Sequence, residues 1–496
     1  MNANKVPIAC LATGVGGLDN ILGGGLPEFS FNLIAGMPGS GKTTLAHQMM
    51  FSLATADRCA LYLTVLGEPP LKMLRYQQQF NFFDASKIGN AVRFVSLADD
   101  TLSGDLDRVL ARIITEVEAA TPSLVFVDSF RSVVLSGSGS AEQTPNPLKK
   151  FVQQLGMLMT SWQATTFLVD EYDRKTDINL ISTVADGLIW LHQSVQHNSM
   201  VRQLEVTKMR GHATIPGLHS FRIDQNGIEV FALPDRLPAL QNSVQSSGQN
   251  ERLMMGIPHL DDMMGGGLPR GYSLLVAGPS GSGKSILAAA FLLEGARIGE
   301  AGVIAVFEQH PNRAHNHAIA DLIRQERIGL VDARSPDLSI EEVTILLLRQ
   351  VQQRRATRLV IDSLTGFELS LAPTYRPDFR ESMLRLVTAL ANTGVSVLMT
   401  SELEDRYTDL RFSPYGTAFL TDAIIVQRYI EVDSRLRRVL AVVKVRASDH
   451  SDELREFTID GAGIHIGSRL CNQEGLLGGS PTTKNSAAGS IPLQGE

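Results

Sequence analysis

The chain predicts an α/β protein made of two copies of one domain, each a mainly parallel sheet flanked by helices. Three observations carry this. Residues 36–43 and 278–285 both read Gly-x-x-x-x-Gly-Lys-[Ser/Thr]. Each stretch lies between a short apolar run (31–35, 274–277) and a helix-like run (45–54, 286–296), the strand–loop–helix setting that a phosphate-cradling P-loop demands. The halves also repeat: Gly14, Leu18, Asp19 and Gly23-Gly24-Gly25-Leu26-Pro27 recur as Gly256, Leu260, Asp261 and Gly265-Gly266-Gly267-Leu268-Pro269, at the spacing that separates Lys42 from Lys284. So long a period marks a duplicated domain rather than a solenoid of short units.

In chain order, 61–65 reads as a strand, 71–80 and 103–119 as helices, and 124–128 as an apolar run ending in Asp128. Such a run suits a strand buried on both faces. Residues 166–170 and 187–191 are further strands, and 206–211 is a strand end entering a loop. The second half repeats the order with strands at 303–307, 359–362, 396–400 and 423–426. The first domain is expected over 1–233 and the second over 253–467. A linker rich in Gln, Ser, Asn and Pro is expected over 234–252, and a polar, Gly/Ser-rich disordered tail over 468–496. Strands alternating with helices place a ligand at the carboxyl ends of the strands.

Composition narrows the classes. With 44% hydrophobic and 20% charged residues the chain reads as soluble and globular. A net charge of −7 gives no general basic footprint, so nucleic acid is not an expected partner. The three cysteines fit neither a disulfide framework nor a metal site, which suits a cytoplasmic protein. No apolar run reaches the roughly 18 residues that a spanning helix needs, so no membrane is expected.

The motifs specify chemistry. Gly36, Gly39, Ser40, Gly41, Lys42, Thr43 and Thr44, and likewise Gly278, Gly281, Ser282, Gly283, Lys284 and Ser285, would form two ATP sites. Glycines let backbone N–H groups curl around phosphate oxygens, and the lysine reaches the β- and γ-phosphates. Thr43 and Ser285 would hold Mg2+ with Asp128 and Asp362, each of which ends an apolar strand and precedes a serine. Glu308 follows the strand after the second P-loop helix and is expected to act as base for water or a hydroxyl. The repeat spacing sets it against Leu66, which leaves Glu68 as the nearest carboxylate of the first half. Lys208 with Arg210, and Lys444 with Arg446, lie two apart near strand ends. Each pair faces one side and could pin a γ-phosphate from a neighbouring subunit.

Together, the Gly-x-x-x-Leu-Asp…Gly-Gly-Gly-Leu-Pro opening, the P-loop, the Asp-Ser pair and the basic Lys-x-Arg ending, all duplicated, resemble the KaiC family within the RecA/DnaB superfamily over residues 10–467. The resemblance implies RecA-like domains, a double-ring homohexamer with ATP at subunit interfaces, ATP hydrolysis in the first ring, and serine/threonine autokinase and autophosphatase activity in the second. It also implies a circadian-clock-like regulatory role and a regulatory protein partner. The chain departs from the pattern in places. Leu66-Gly67 and Glu308-Gln309 stand where the family carries two glutamates, and Ala418-Phe419 stands where it carries a Ser-Thr phosphoacceptor pair. Ser413, Thr417 and Thr421 are the nearby hydroxyls. Two other readings are a DNA-dependent motor of the same superfamily and a nucleotide-gated scaffold with little catalysis.

Overall fold

The computed structural model describes residues 8–65, 70–101, 105–128, 147–172, 181–196, 199–232, 251–307, 317–334, 337–403, 420–432, 434–470, 473–474 and 482–483. The chain divides into two compact units, Met1–Leu237 and Pro238–Glu496.

The sheet of the first unit contains nine strands: β1 (Phe31–Gly36), β2 (Ala60–Thr64), β3 (Val92–Ser96), β4 (Leu124–Asp128), β5 (Thr165–Glu171), β6 (Gly187–Gln196), β7 (Ser199–Met209), β8 (His219–Asp224) and β9 (Gly227–Phe231), in the order β3-β2-β4-β5-β1-β6-β7-β8-β9. Pairing is parallel from β3 to β6 and antiparallel from β6 to β9. Helix α1 (Lys42–Leu53) follows β1. Because side chains alternate across a strand, β4 sends Leu124 and Phe126 into the core on one face, with Leu45 and Met49 of α1. Val125 and Val127 enter the core on the other face, with Phe151 and Leu155.

The second unit repeats the design with β10 (Ser273–Gly278), β11 (Gly302–Val306), β12 (Ile328–Asp332), β13 (Arg358–Asp362), β14 (Ser396–Glu402), β15 (Ala423–Val432), β16 (Arg435–Val445), β17 (Arg455–Asp460) and β18 (Gly463–Arg469), in the order β12-β11-β13-β14-β10-β15-β16-β17-β18. Helix α2 (Lys284–Arg297) follows β10. Strand for strand, the two orders are the same, so the fold is tandem RecA-like α/β domains.

Several details differ from the sequence expectation. The antiparallel extensions are full hairpins, where the sequence suggested only a strand end at 206–211. Gln225-Asn226 turns the β8–β9 hairpin, and Gly227, paired with Asp224, has φ 103°, a backbone conformation that glycine adopts without strain. Arg252, expected in the linker, is a strand residue: Arg252–Leu253 pairs with Leu268–Pro269. Its guanidinium donates to the carbonyls of Met264 and Gly267. At the other end β18 runs past the expected limit at 467, pairing Arg469 with Arg455. Within the expected tail, Gln473–Glu474 pairs with Thr482–Thr483.

Candidate functional site

In the first unit the P-loop leaves β1, turns through Gly39 and Gly41 (φ 76° and 100°), and enters α1. In the second it leaves β10, turns through Gly281 and Gly283 (φ 75° and 105°), and enters α2. The φ of Gly41 strains any side chain there, and a Cβ would come within 2.8 Å of the terminal methyl of Ile223, which would have to shift. Gly41 and Gly283 cap their helices with no side-chain hydrogen bond. The first-turn N–H groups are therefore not spent on a side-chain cap, and the positive end of each helix suits an anion. Lys42 Nζ donates to the Met37 carbonyl at 2.8 Å, and Lys284 Nζ to those of Gly278 and Pro279 at 2.9 and 2.8 Å. Each ammonium curls over its own loop. Burial lowers the Lys42 pKa, while Glu171, Asp128 and Asp170 oppose that shift. Thr44 is half-buried. Ser40 Oγ is buried with no hydrogen-bond partner, whereas Ser282 Oγ donates to Gln427 Oε1 at 3.0 Å.

Asp128 and Asp362 end β4 and β13, as the apolar runs predicted. Asp128 Oδ2 accepts from Thr43 Oγ1 at 2.8 Å and from Tyr62 OH at 2.7 Å. Burial raises the Asp128 pKa, and the two hydroxyls and Lys42 pull it back. Tyr62, raised far above its ordinary value chiefly by burial, stays a protonated donor. The second site is held differently. Asp362 Oδ1 accepts from Thr400 Oγ1 at 2.5 Å, and among the described residues no hydrogen bond joins it to Ser285, which is exposed.

Sequence reasoning missed four of these residues. Tyr62 and Thr400 are two. The others are Glu171 and Glu402, which end the strand set between the P-loop strand and the aspartate strand in each unit. In register, Glu171 lies opposite Gly36, and Glu402 opposite Gly278. Glu171 Oε1 stands 3.8 Å from Lys42 Nζ. The polar endings of these apolar runs, Asp170-Glu171 and Thr400-Ser401-Glu402, are the signal that singled out Asp128 and could have found them.

Each basic pair follows a bulge in its strand, between Leu188 and Ile189 and between Ile424 and Ile425 on the partner strands. Bulges re-aim side chains. Lys208 donates to the Ala185 carbonyl at 2.5 Å, and Arg210 pairs with Asp186 Oδ1 at 3.0 Å. Lys444 donates to the Thr421 carbonyl at 2.6 Å, and Arg446 pairs with Asp422 Oδ1 at 3.3 Å. Burial, then the adjacent arginine, lowers the pKa of Lys208 and of Lys444. Glu68, Glu308, Ser413 and Thr417 lie outside the described residues, as do Leu66-Gly67, Gln309 and Ala418-Phe419. Thr421 is fully buried, which removes it as an accessible phosphoacceptor in this conformation.

Among the described residues no cluster of three or more His, Cys, Asp or Glu could hold a metal ion. Among the described residues no helix is long and apolar enough to cross a membrane.

The comparisons agree with this architecture. The chain is 26% identical over 486 residues to the circadian clock oscillator protein KaiC of Picosynechococcus sp., covering 95% of this chain and 92% of that protein. It is 27% identical over 487 residues to the circadian clock protein KaiC3 of Synechocystis sp., covering 95% and 94%. It is 24% identical over 495 residues to the circadian clock oscillator protein KaiC of Synechococcus elongatus, covering 97% and 93%. The family model for the KaiC ATPase matches twice, at residues 11–235 and 253–470, once for each nine-stranded unit. The chain belongs to the KaiC ATPase family.

Proposed function

We propose that both P-loops bind ATP with Mg2+, and that hydrolysis drives a regulatory switch in a homohexamer. For the first site, the observation that carries this is the Thr43–Asp128 bond. The threonine hydroxyl donates a hydrogen bond to the carboxylate at 2.8 Å, which leaves its oxygen lone pairs for a cation held beside the P-loop. Mg2+ there would neutralise charge on the β- and γ-phosphates. Lys42 and Lys284 would leave their loop carbonyls for phosphate oxygens, and Asp128 and Asp362 would orient the metal with Thr43 and Ser285.

In a ring, Lys208 with Arg210, and Lys444 with Arg446, would exchange their present partners for the γ-phosphate of a neighbouring subunit. Glu308 would act as base in the second site and Glu68 in the first. Phosphotransfer to the chain itself would fall on Ser413 or Thr417, given the burial of Thr421. The relatives carry circadian clock names, which supports a regulatory output over a motor on DNA.

ATP turnover of the wild type, Lys42→Ala and Lys284→Ala tests the proposal. Each variant is expected to lose one site's share, and the double variant nearly all turnover. Retention of full turnover by the double variant would sink it. Stimulation by single-stranded DNA would instead favour the motor. For the second site, Glu308→Gln is expected to lower turnover or phosphotransfer; unchanged rates reject its assignment as base.

A further inference from the structure

The aspartates that end β4 and β13 are each held by a hydroxyl from an adjacent strand, but the two units draw it from opposite sides. In the first unit the donor is Tyr62 on β2, paired with Phe126. The matching residue of the second unit is Ile304, paired with Val360, which has nothing to donate. In the second unit the donor is Thr400 on β14, paired with Val276. The matching residue of the first is Val169, paired with Ile34, equally unable to donate. Each unit thus lacks the hydroxyl that the other uses and has its own. A buried carboxylate without donors is costly, so the exchange keeps one requirement satisfied by two routes.

We infer that Tyr62 and Thr400 are the positioning residues of the two metal-holding carboxylates, fixing the Asp128 and Asp362 side chains for Mg2+ that arrives with nucleotide. This rests on the P-loop reading above. Tyr62 is well placed for it. Its ring stacks against Phe126 (centroids 5.9 Å apart, planes 16° apart) and packs on Phe94 and His47, so the hydroxyl cannot wander. Thr43 and Tyr62 both donate to Oδ2, and Asp128 Oδ1 carries no hydrogen bond among the described residues. That oxygen is the one left to face the cation or its water. At Asp362 the hydroxyl lies on Oδ1 instead. The two sites therefore present their carboxylates through different supports, and each support can be removed without touching the other.

The test uses the full chain and a fluorescent methylanthraniloyl-ATP probe. A Lys284→Ala background reports the first site and a Lys42→Ala background the second. In the first background, Tyr62→Phe keeps the stacked ring and deletes only the hydroxyl. The Mg2+ concentration for half-maximal probe binding is expected to rise on the order of tenfold, the size of losing one hydrogen bond to a charged group. Binding in EDTA should fall much less. In the second background, Thr400→Val should do the same and Thr400→Ser should restore it. Unfolding temperatures without nucleotide separate a folding defect from a metal defect. An unshifted Mg2+ midpoint, or equal losses with and without Mg2+, overturns the inference. A background protein that binds no probe at all sinks the P-loop reading itself, so the two failures are distinguishable.

Discussion

Lys42 is buried and surrounded by carboxylates before any phosphate arrives, with Glu171 only 3.8 Å away. Glu171 is half exposed, 44% for its side chain, so the pair is screened and worth about 0.2–1 kcal/mol. Removing that competitor should release the lysine. Glu171→Gln is expected to tighten ATP binding at the first site by roughly twofold to fivefold, read by probe titration with the second site disabled. Weaker binding would show that Glu171 supports the ligand rather than competing with it. His47 offers a pH handle. It is fully buried against Tyr62 and Phe94, neither ring nitrogen has a hydrogen-bond partner, and burial pushes its pKa down to about 3. The unfolded chain takes up a proton near pH 6.5 while the folded one waits until about pH 3. Stability is therefore lost as pH falls through that window, by about 1.4 kcal/mol per unit from this residue. Between pH 6.5 and 5 the first unit should lose about 2 kcal/mol that a His47→Leu variant keeps. Parallel denaturant curves for the two proteins would contradict this.

Across the first sheet, Phe94, Tyr62, Phe126 and Phe167 pair in register on neighbouring strands. Phe126 and Phe167 stack at 4.6 Å with planes 12° apart. The second sheet carries Leu330, Ile304, Val360 and Leu398 in the same row. The rigid row is what brings Tyr62 OH to Asp128. Phe126→Ala should destabilise the first unit by roughly 3–5 kcal/mol, with little effect on the second; calorimetry that shows both transitions moving equally would refute the local account. The second sheet has its own device. Arg358 opens β13 with no exposed side-chain surface, pairs with Glu300 at 2.6 Å, donates to the carbonyls of Met254 and Phe291, and lies 4.6 Å above the Phe291 ring. Arg358→Ala strands that carboxylate and two carbonyls, at a cost of about 3–5 kcal/mol, seen as a lower unfolding temperature of the second unit.

For the molecule as a whole, duplication made two sheets of one topology and let their interiors and sites drift. If assembly depends on nucleotide at subunit boundaries, light scattering should show the wild type growing to about six times the chain mass with Mg-ATP. Lys42→Ala with Lys284→Ala should fail to grow. A monomer at saturating Mg-ATP would refute the ring.

The P-loops and the aspartate strands were legible in the chain because each is written locally. Glycines that need positive φ and apolar runs that need burial on two faces declare themselves within a few residues, and the repeat shows when the two halves are laid side by side. The hairpins beyond Met209 and Val445 are marked in the chain only by Asn226-Gly227 and Gly463, near their turns. Tyr62, Thr400, Glu171 and Glu402 were not assigned, because their importance comes from what lies across the sheet. Tyr62 meets a carboxylate 66 residues away, and Thr400 one 38 residues away. Such contacts are set by strand order and register, which follow from how whole faces bury. The sequence by itself therefore determined that there are two P-loops and on what kind of fold. Only the tertiary structure decided which hydroxyl holds each aspartate, because a hydrogen bond between strands exists only once the sheet has aligned them.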